Sequence, residues 1–264
     1  MSTPTGAIDV SLLRLAAGYV FVLLALAIAA RRKVGRTSEI LIGSLRMTVQ
    51  LVAVGYLLEF MFEYPHPAIT LAALAAMQTF AVRNVYRRVK RRGPAALGRV
   101  VWISLFTGSA VAITYFLLVI LAITPWYEPR YAIPVAGMLI GNSMTGIALA
   151  YDRLVAGFED RSATIDAALM LGATPAAASR GCVRDAFAAA ILPTVNAMMG
   201  MGIVFLPGMM TGQILGGASP VLAIRYQIAI MLGIVGSVTV TTFLLTSFGW
   251  RAFFDADKRL IGTR

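Results

Sequence analysis

A chain of 264 residues that is 59% hydrophobic and only 13% charged, with a mean hydropathy of +0.80, cannot hide its apolar surface inside a soluble fold. Lipid must solvate most of it, so the net charge of +11 reads as cationic loops held on one side of a membrane, not as a nucleic-acid surface. One histidine and one cysteine, Cys182, exclude an intrachain disulfide framework and a His/Cys-rich metal cage within one subunit.

The first apolar run, about 11–30, is followed and not preceded by Arg31, Arg32 and Lys33, which argues against a cleaved leader and for an outside N-terminus. A span at about 40–60 contains Arg46 and Gln50. Further spans are expected at about 68–86, 102–124 and 132–150, the last two without any charge. A sixth begins near Phe187, and a seventh covers about 226–250. The fold class is therefore an all-α integral membrane protein of about seven transmembrane helices, with the N-terminus outside and the C-terminus cytoplasmic. Segments 31–39, 83–99, 151–185 and 251–264 then hold four, seven, four and four of the 23 Lys and Arg. Only Arg14, Arg130 and Arg225 fall outside, an asymmetry that sets the orientation. Arg83, Arg87, Arg88, Lys90, Arg91 and Arg92 read as topology determinants that also meet anionic lipid.

From Ala186 to Ile224 no residue is charged, a length too great for one helix and too small for two with a turn. Pro193 and Pro207 interrupt it, and Gly208, Gly212, Gly216 and Gly217 crowd its second half. The expectation is a helix of about 187–206 and a Gly-rich re-entrant or broken segment at 207–224. Such backbone survives at membrane depth only against protein or water. A buried outer loop at a dimer interface is the alternative.

Candidate side chains follow. Arg46 and Gln50, four apart, share a helix face; Arg46 either lines a cavity or pairs structurally. Asn142, Asn196, Gln78 and Gln213 either bond across helices or meet cargo, and Gln213 sits among the glycines. Met198, Met199, Met201, Met209 and Met210 are soft ligands or adaptable packing. Arg225 suits an anionic cargo. Glu59, Glu63 and His66 stand at the outer mouth, as weak metal candidates or ordinary interfacial polarity. In the polar segment at about 151–185, short helices broken at Gly172 and Pro175 are expected.

Asp166-Ala167-Ala168, Gly172-Ala173-Thr174 and Ile191-Leu192-Pro193 resemble the EAA loop of ABC-importer permeases, with Asp in place of Glu and a longer spacing. A closer match covers nearly the whole chain. The run Leu206-Pro207-Gly208-Met209-Met210-Thr211-Gly212-Gln213-Ile214-Leu215-Gly216-Gly217-Ala218-Ser219-Pro220, with Arg225-Tyr226-Gln227, resembles the signature of the FetB family. Arg46-Met47-Thr48-Val49-Gln50-Leu51, Asn142-Ser143 and Leu171-Gly172-Ala173-Thr174 fit it too. The resemblance implies one transmembrane permease domain over 1–264, the membrane subunit of an iron-export ABC transporter in the inner (plasma) membrane, with plant relatives linked to aluminium tolerance. It implies that Glu159, Asp160, Arg161, Asp166 and Gly172 couple to a separate ATPase of FetA type, two permeases pairing with two ATPases.

The residues agree in one respect. Lys33, Lys90 and Lys258 are the only lysines, and none lies in a Gly-x-x-x-x-Gly-Lys-Ser/Thr phosphate loop, so ATP and Mg are expected on the partner and no enzymatic activity on this chain. Other cargo, such as another metal or a nucleotide-sugar, stays open. An ATP-independent carrier would need a mid-span carboxylate, and none is found. A membrane enzyme would need clustered acids and bases. An assembly factor is the remaining rival.

Overall fold

The computed structural model describes residues 10–261 apart from 34, 36, 90, 92 and 205, so Lys90 and Arg92 lie outside the described residues. The chain is all-helical: α1 (Leu12–Gly18), α2 (Val20–Arg31), α3 (Thr37–Glu63), α4 (Pro67–Arg88), α5 (Ala95–Tyr115), α6 (Pro129–Asp160), α7 (Ser162–Met170), α8 (Pro175–Gly200), α9 (Gly208–Leu215) and α10 (Pro220–Gly249). A π turn, Phe116–Ile120, extends α5, and a 3-10 turn, Trp250–Phe253, extends α10. Among the described residues the only extended pairing is an isolated bridge between Phe254 and Leu260.

Six helical runs are long and apolar enough to cross a bilayer: α1 with α2, α3, α4, α5 with its π turn, α6, and α10 with its 3-10 turn. The expected sixth span differs. Its helix starts at Pro175, not near Phe187, and ends at Gly200. Thr174 caps it by accepting from the Ala177 N–H at 3.3 Å, and Pro175 fits the first helical turn because its missing N–H costs nothing there. The polar segment 151–185 is thus mostly the ends of two long helices, α6 and α8, with α7 between them. Gly172, at φ +88°, makes the break that a side chain would resist.

The core lies in α4, α5, α6, α8 and α10. Small residues let these helices meet closely. A Cβ on Gly108 of α5 would lie 2.6 Å from Thr241 Cγ2 and 2.9 Å from its Cα on α10. A Cβ on Gly146 of α6 would lie 2.9 Å from Val238 Cγ1 on α10. Polar bonds add specificity between apolar faces. Ser143 and Ser237 share a buried hydrogen bond of 2.7 Å between α6 and α10, and Gln78 of α4 donates to Ser109 of α5 at 2.5 Å. Gln78 is therefore a cross-helix bond, one of its two expected roles.

The contacts also give direction. Gly146 meets Ala190, and Gly157 meets Cys182, so α8 runs antiparallel to α6. Ser143 meets Ser237, and Phe158 stacks on Phe253 with ring centroids 4.0 Å apart, so α10 runs parallel to α6. In contrast, α3 buries only Met61, and α1 with α2 buries only Ala29. These helices flank the core and leave their apolar sides for lipid or another chain.

The 207–224 segment holds a short helix between two turns and then the first residues of α10. Pro207 precedes α9, Gly217 turns at φ +94°, and Ser219 caps α10 by accepting from the Leu222 N–H at 3.3 Å. Residues 220–224 already belong to α10. The stripe Gly208, Gly212, Gly216 has no other helix against it: nothing lies within 4 Å of a Cβ placed on Gly208 or Gly212.

Candidate functional site

Two features stand out, one at the end of the bundle rich in arginine and one between the core helices. At the basic end, α6 overruns its apolar stretch and carries Glu159 and Asp160. Arg91 hydrogen-bonds Glu159 and lies 4.0 Å from Asp160. Arg161, between α6 and α7, donates to Asp185 of α8 at 2.5 Å. Three expected coupling residues thus hold their own chain together: they fix where α7 leaves α6 and how it is tied to α8. The hydrogen bond from Arg161 keeps the Asp185 carboxyl below the usual carboxylate range, against slight desolvation. Burial pushes the Cys182 thiol beside it up, so it is a packed, unreactive group.

A depressed carboxyl contributes stability above its unfolded value and loses it as pH falls through the lower folded value. Replacing Asp185 with Asn should therefore lower the thermal stability of the purified protein in lipid nanodiscs by an amount constant from neutral pH down to about pH 4. The gap should close only below that. The pair is partly exposed, so the effect is small and shrinks with salt.

Beyond this joint, α7 projects as a nine-residue helix, and its C-terminal tip is apolar. Met170 is 83% exposed and Leu171 is 89% exposed. Beside the tip runs a groove of about 670 Å³, lined by Asp166, Leu169, Gly172 and Thr174 and by Asp257 to Leu260 of the C-terminal hairpin. Phe158 and Phe253 anchor that hairpin by their stacked rings. Asp166 and Gly172 therefore belong to a recessed surface, unlike Glu159, Asp160 and Arg161. Met170 and Leu171 are functional candidates that the charge-based reading passed over. The apolar run Leu169-Met170-Leu171 before a glycine in a polar segment was the signal.

The second feature is a cavity of about 290 Å³ between α6, α8, α9 and α10. Its wall includes Asn142, Thr194, Met201, Met209 and Gln227. Gln227 is buried; its amide N–H donates to Met201 Sδ at 3.7 Å, and its carbonyl oxygen has no hydrogen-bond partner among the described residues. Met210 lines a neighbouring cavity of about 270 Å³ on the other side of Met201 and Gln227. The wall is amide, hydroxyl, thioether and aliphatic, without a carboxylate, so it suits a soft or weakly charged species better than a bare hard cation.

The structure gathers Asn142 and Met209 at this cavity but not the other path candidates. Asn196 is exposed on α8 and outside the lining. Gln213 buries a carbonyl oxygen that has no hydrogen-bond partner among the described residues, yet lines neither cavity. Arg225 is exposed near the start of α10. Arg46 and Gln50 are exposed on α3, and Arg46 stacks over the Phe80 ring of α4 at 5.4 Å. At the other end His66 caps α4, its ring nitrogen accepting from the Ala68 N–H at 3.2 Å. Among the described residues no three His, Cys, Asp or Glu side chains converge as a metal site, Glu59, Glu63 and His66 included. Gln227 is the residue brought in by folding, visible in the sequence only as part of a signature, and it meets Met201, one of the candidate methionines.

The model of an uncharacterised protein family, UPF0014, matches residues 12–254. The chain belongs to UPF0014. Its UPF0014 relatives span bacteria and plants. It is 37% identical over 225 residues to the UPF0014 membrane protein slr1647 of Synechocystis, covering 85% of this chain and 86% of that one. It is 31% identical over 250 residues to a protein of Escherichia coli named probable iron export permease protein FetB, covering 95% of each. It is 34% identical over 247 residues to ALUMINUM SENSITIVE 3 of Arabidopsis thaliana, covering 93% and 88%. No solved structure matches. Family and fold together make the chain a multi-pass membrane protein of UPF0014, and they support the transport reading of its sequence.

Proposed function

We propose that this chain is the membrane permease subunit of an ABC-type exporter, driven by ATP hydrolysed on a separate subunit. The observation that carries the proposal is the α7 tip: a short helix, ionically braced at its root, that presents Met170 and Leu171 to an aqueous face. Apolar side chains so exposed beside a groove mark a protein-docking surface. The basic end is the cytoplasmic one, by the arginine count, so the tip faces the compartment that holds ATP. The chain then crosses the inner membrane seven times, with α8 as the sixth passage, from an outside N-terminus to a cytoplasmic C-terminus. The partner is an ATPase of FetA type, and two permeases assemble with two ATPases. ATP and Mg sit on that partner.

The cargo is iron in linked form, such as a chelate, by analogy with the relative named as an iron export permease. The cavity of amides and thioethers supports a linked form over a bare ferric ion, which asks for carboxylate or imidazole ligands. The same wall admits a second reading: another metal, or a solute such as a nucleotide-sugar.

The test is ATP turnover by the permease co-purified with its ATPase in lipid, titrated with Fe(II), Fe(III) chelates, Cu(I) and nucleotide-sugars. Stimulation by an iron species supports the cargo. Stimulation by another ligand keeps the exporter and changes its cargo. Failure to form a complex, with turnover indifferent to the permease, rejects the ABC reading in favour of an ATP-independent carrier or an assembly factor.

A further inference from the structure

A third cavity, of about 250 Å³, opens between α3 and α4 and is lined by Arg46, Phe80, Arg83, Asn84 and Arg87. Its chemistry differs from both features above. Phe80, Arg83, Asn84 and Arg87 stand at i, i+3, i+4 and i+7 on α4, so they form one stripe of that helix, and the stripe faces Arg46. Three arginines therefore line one recess. Among the described residues none of them makes an ion pair. The one aromatic wall fixes Arg46 through its ring face without neutralising it.

Like charges gathered along one recess repel unless an anion joins them, and all three arginines are exposed, so an anion can reach them. Arg46 is nine residues into α3, about 14 Å along the helix axis. The recess thus runs inward from the basic end, at the level where a lipid headgroup meets the apolar layer. Guanidinium forks match the several oxygens of a phosphoryl group, and Asn84 adds a neutral donor. Against a volume of about 30 Å³ for one water, the recess has room for a phosphoryl group with part of its ester. Basic pockets between membrane helices hold phospholipid headgroups in just this setting.

We propose that Arg46, Arg83, Arg87 and Asn84 form a binding site for a phosphoryl anion, separate from the central cavity and from the α7 tip. The anion enters either sideways, as an anionic phospholipid headgroup, or from water, as a soluble phosphate compound. The site stands whether or not the chain exports iron, because it rests on a different pair of helices.

Two measurements separate the sources. In the first, the protein is extracted from vesicles of phosphatidylcholine and phosphatidylglycerol, and retained lipid is counted by native mass spectrometry. In the second, inorganic pyrophosphate is titrated calorimetrically into protein held in phosphatidylcholine nanodiscs. Enrichment of phosphatidylglycerol above its bulk ratio identifies the lipid headgroup; saturable pyrophosphate binding identifies a soluble anion. Either signal should fall about tenfold in the Arg83→Gln, Arg87→Gln double variant, as expected for losing charge-assisted hydrogen bonds. Arg153→Gln, an exposed arginine on α6, should leave it unchanged. Equal binding by the double variant overturns the site. If that variant does not fold, the wild-type protein decides: neither phosphatidylglycerol enrichment nor saturable pyrophosphate binding overturns it as well.

Discussion

On the proposed function, changing both Met170 and Leu171 to Asp should strip this chain from its partner ATPase while leaving the helical bundle intact. The two side chains touch little of their own chain, being 83% and 89% exposed, so their loss costs the fold almost nothing. At an interface they would be buried anchors. Removing one central anchor costs about 2 kcal/mol, roughly a factor of 30 in affinity, and a buried aspartate without a partner adds to that. The expected result is loss of co-purification and a fall in permease-dependent ATP turnover of at least about thirtyfold, with unchanged thermal unfolding in lipid. Unfolding of the variant alone would show that the tip packs within the chain. Retained turnover would move the docking surface to the groove beside α7, where Asp166 and residues 257–260 lie.

The second large effect is on stability. Gly108→Ala should destabilise the bundle by about 1–3 kcal/mol, the usual cost of overpacking a tight core. Its new methyl would lie 2.6 Å from Thr241 Cγ2 and 2.9 Å from the Thr241 Cα, and backbone cannot swing aside as a long side chain can. Gly212→Ala in α9 is the matched control. Nothing lies within 4 Å of its Cβ, so the same substitution should be neutral or stabilise by up to about 1 kcal/mol through helix propensity. Thermal unfolding of both variants in the same lipid measures the contrast. Equal effects would mean that α5 and α10 are not in close contact in the membrane.

Much of the fold was legible in the sequence. Apolar length and lack of charge placed α3, α4, α5, α6 and α10 to within a few residues at most ends, because a helix in lipid must satisfy its own backbone and be apolar throughout. Ends that leave the apolar layer were less legible. There α6 continues to Asp160 and α8 begins at Pro175, since a helix already formed in lipid propagates into water as long as no glycine or proline stops it. Gly172 and Pro175 were readable as a break because one needs positive φ and the other fits only a first turn.

The candidate site was less so. Composition flagged every charged or polar residue in the apolar runs, but could not say which share a wall. Asn142 shares a cavity wall with Met209 and Gln227 because α8 and α10 both pack on α6 and α9 packs on α10, a long-range arrangement that no local pattern encodes. Arg46 meets Arg83 and Arg87 for the same reason, across two helices that touch only lightly. By itself the sequence determined that this chain lives in a bilayer, which segments are helical, and where the chain breaks, since these follow from transfer energies and backbone geometry residue by residue. Only the tertiary structure decided which amides, thioethers and arginines face one another and that the tip of α7 stands free, because these depend on helix packing.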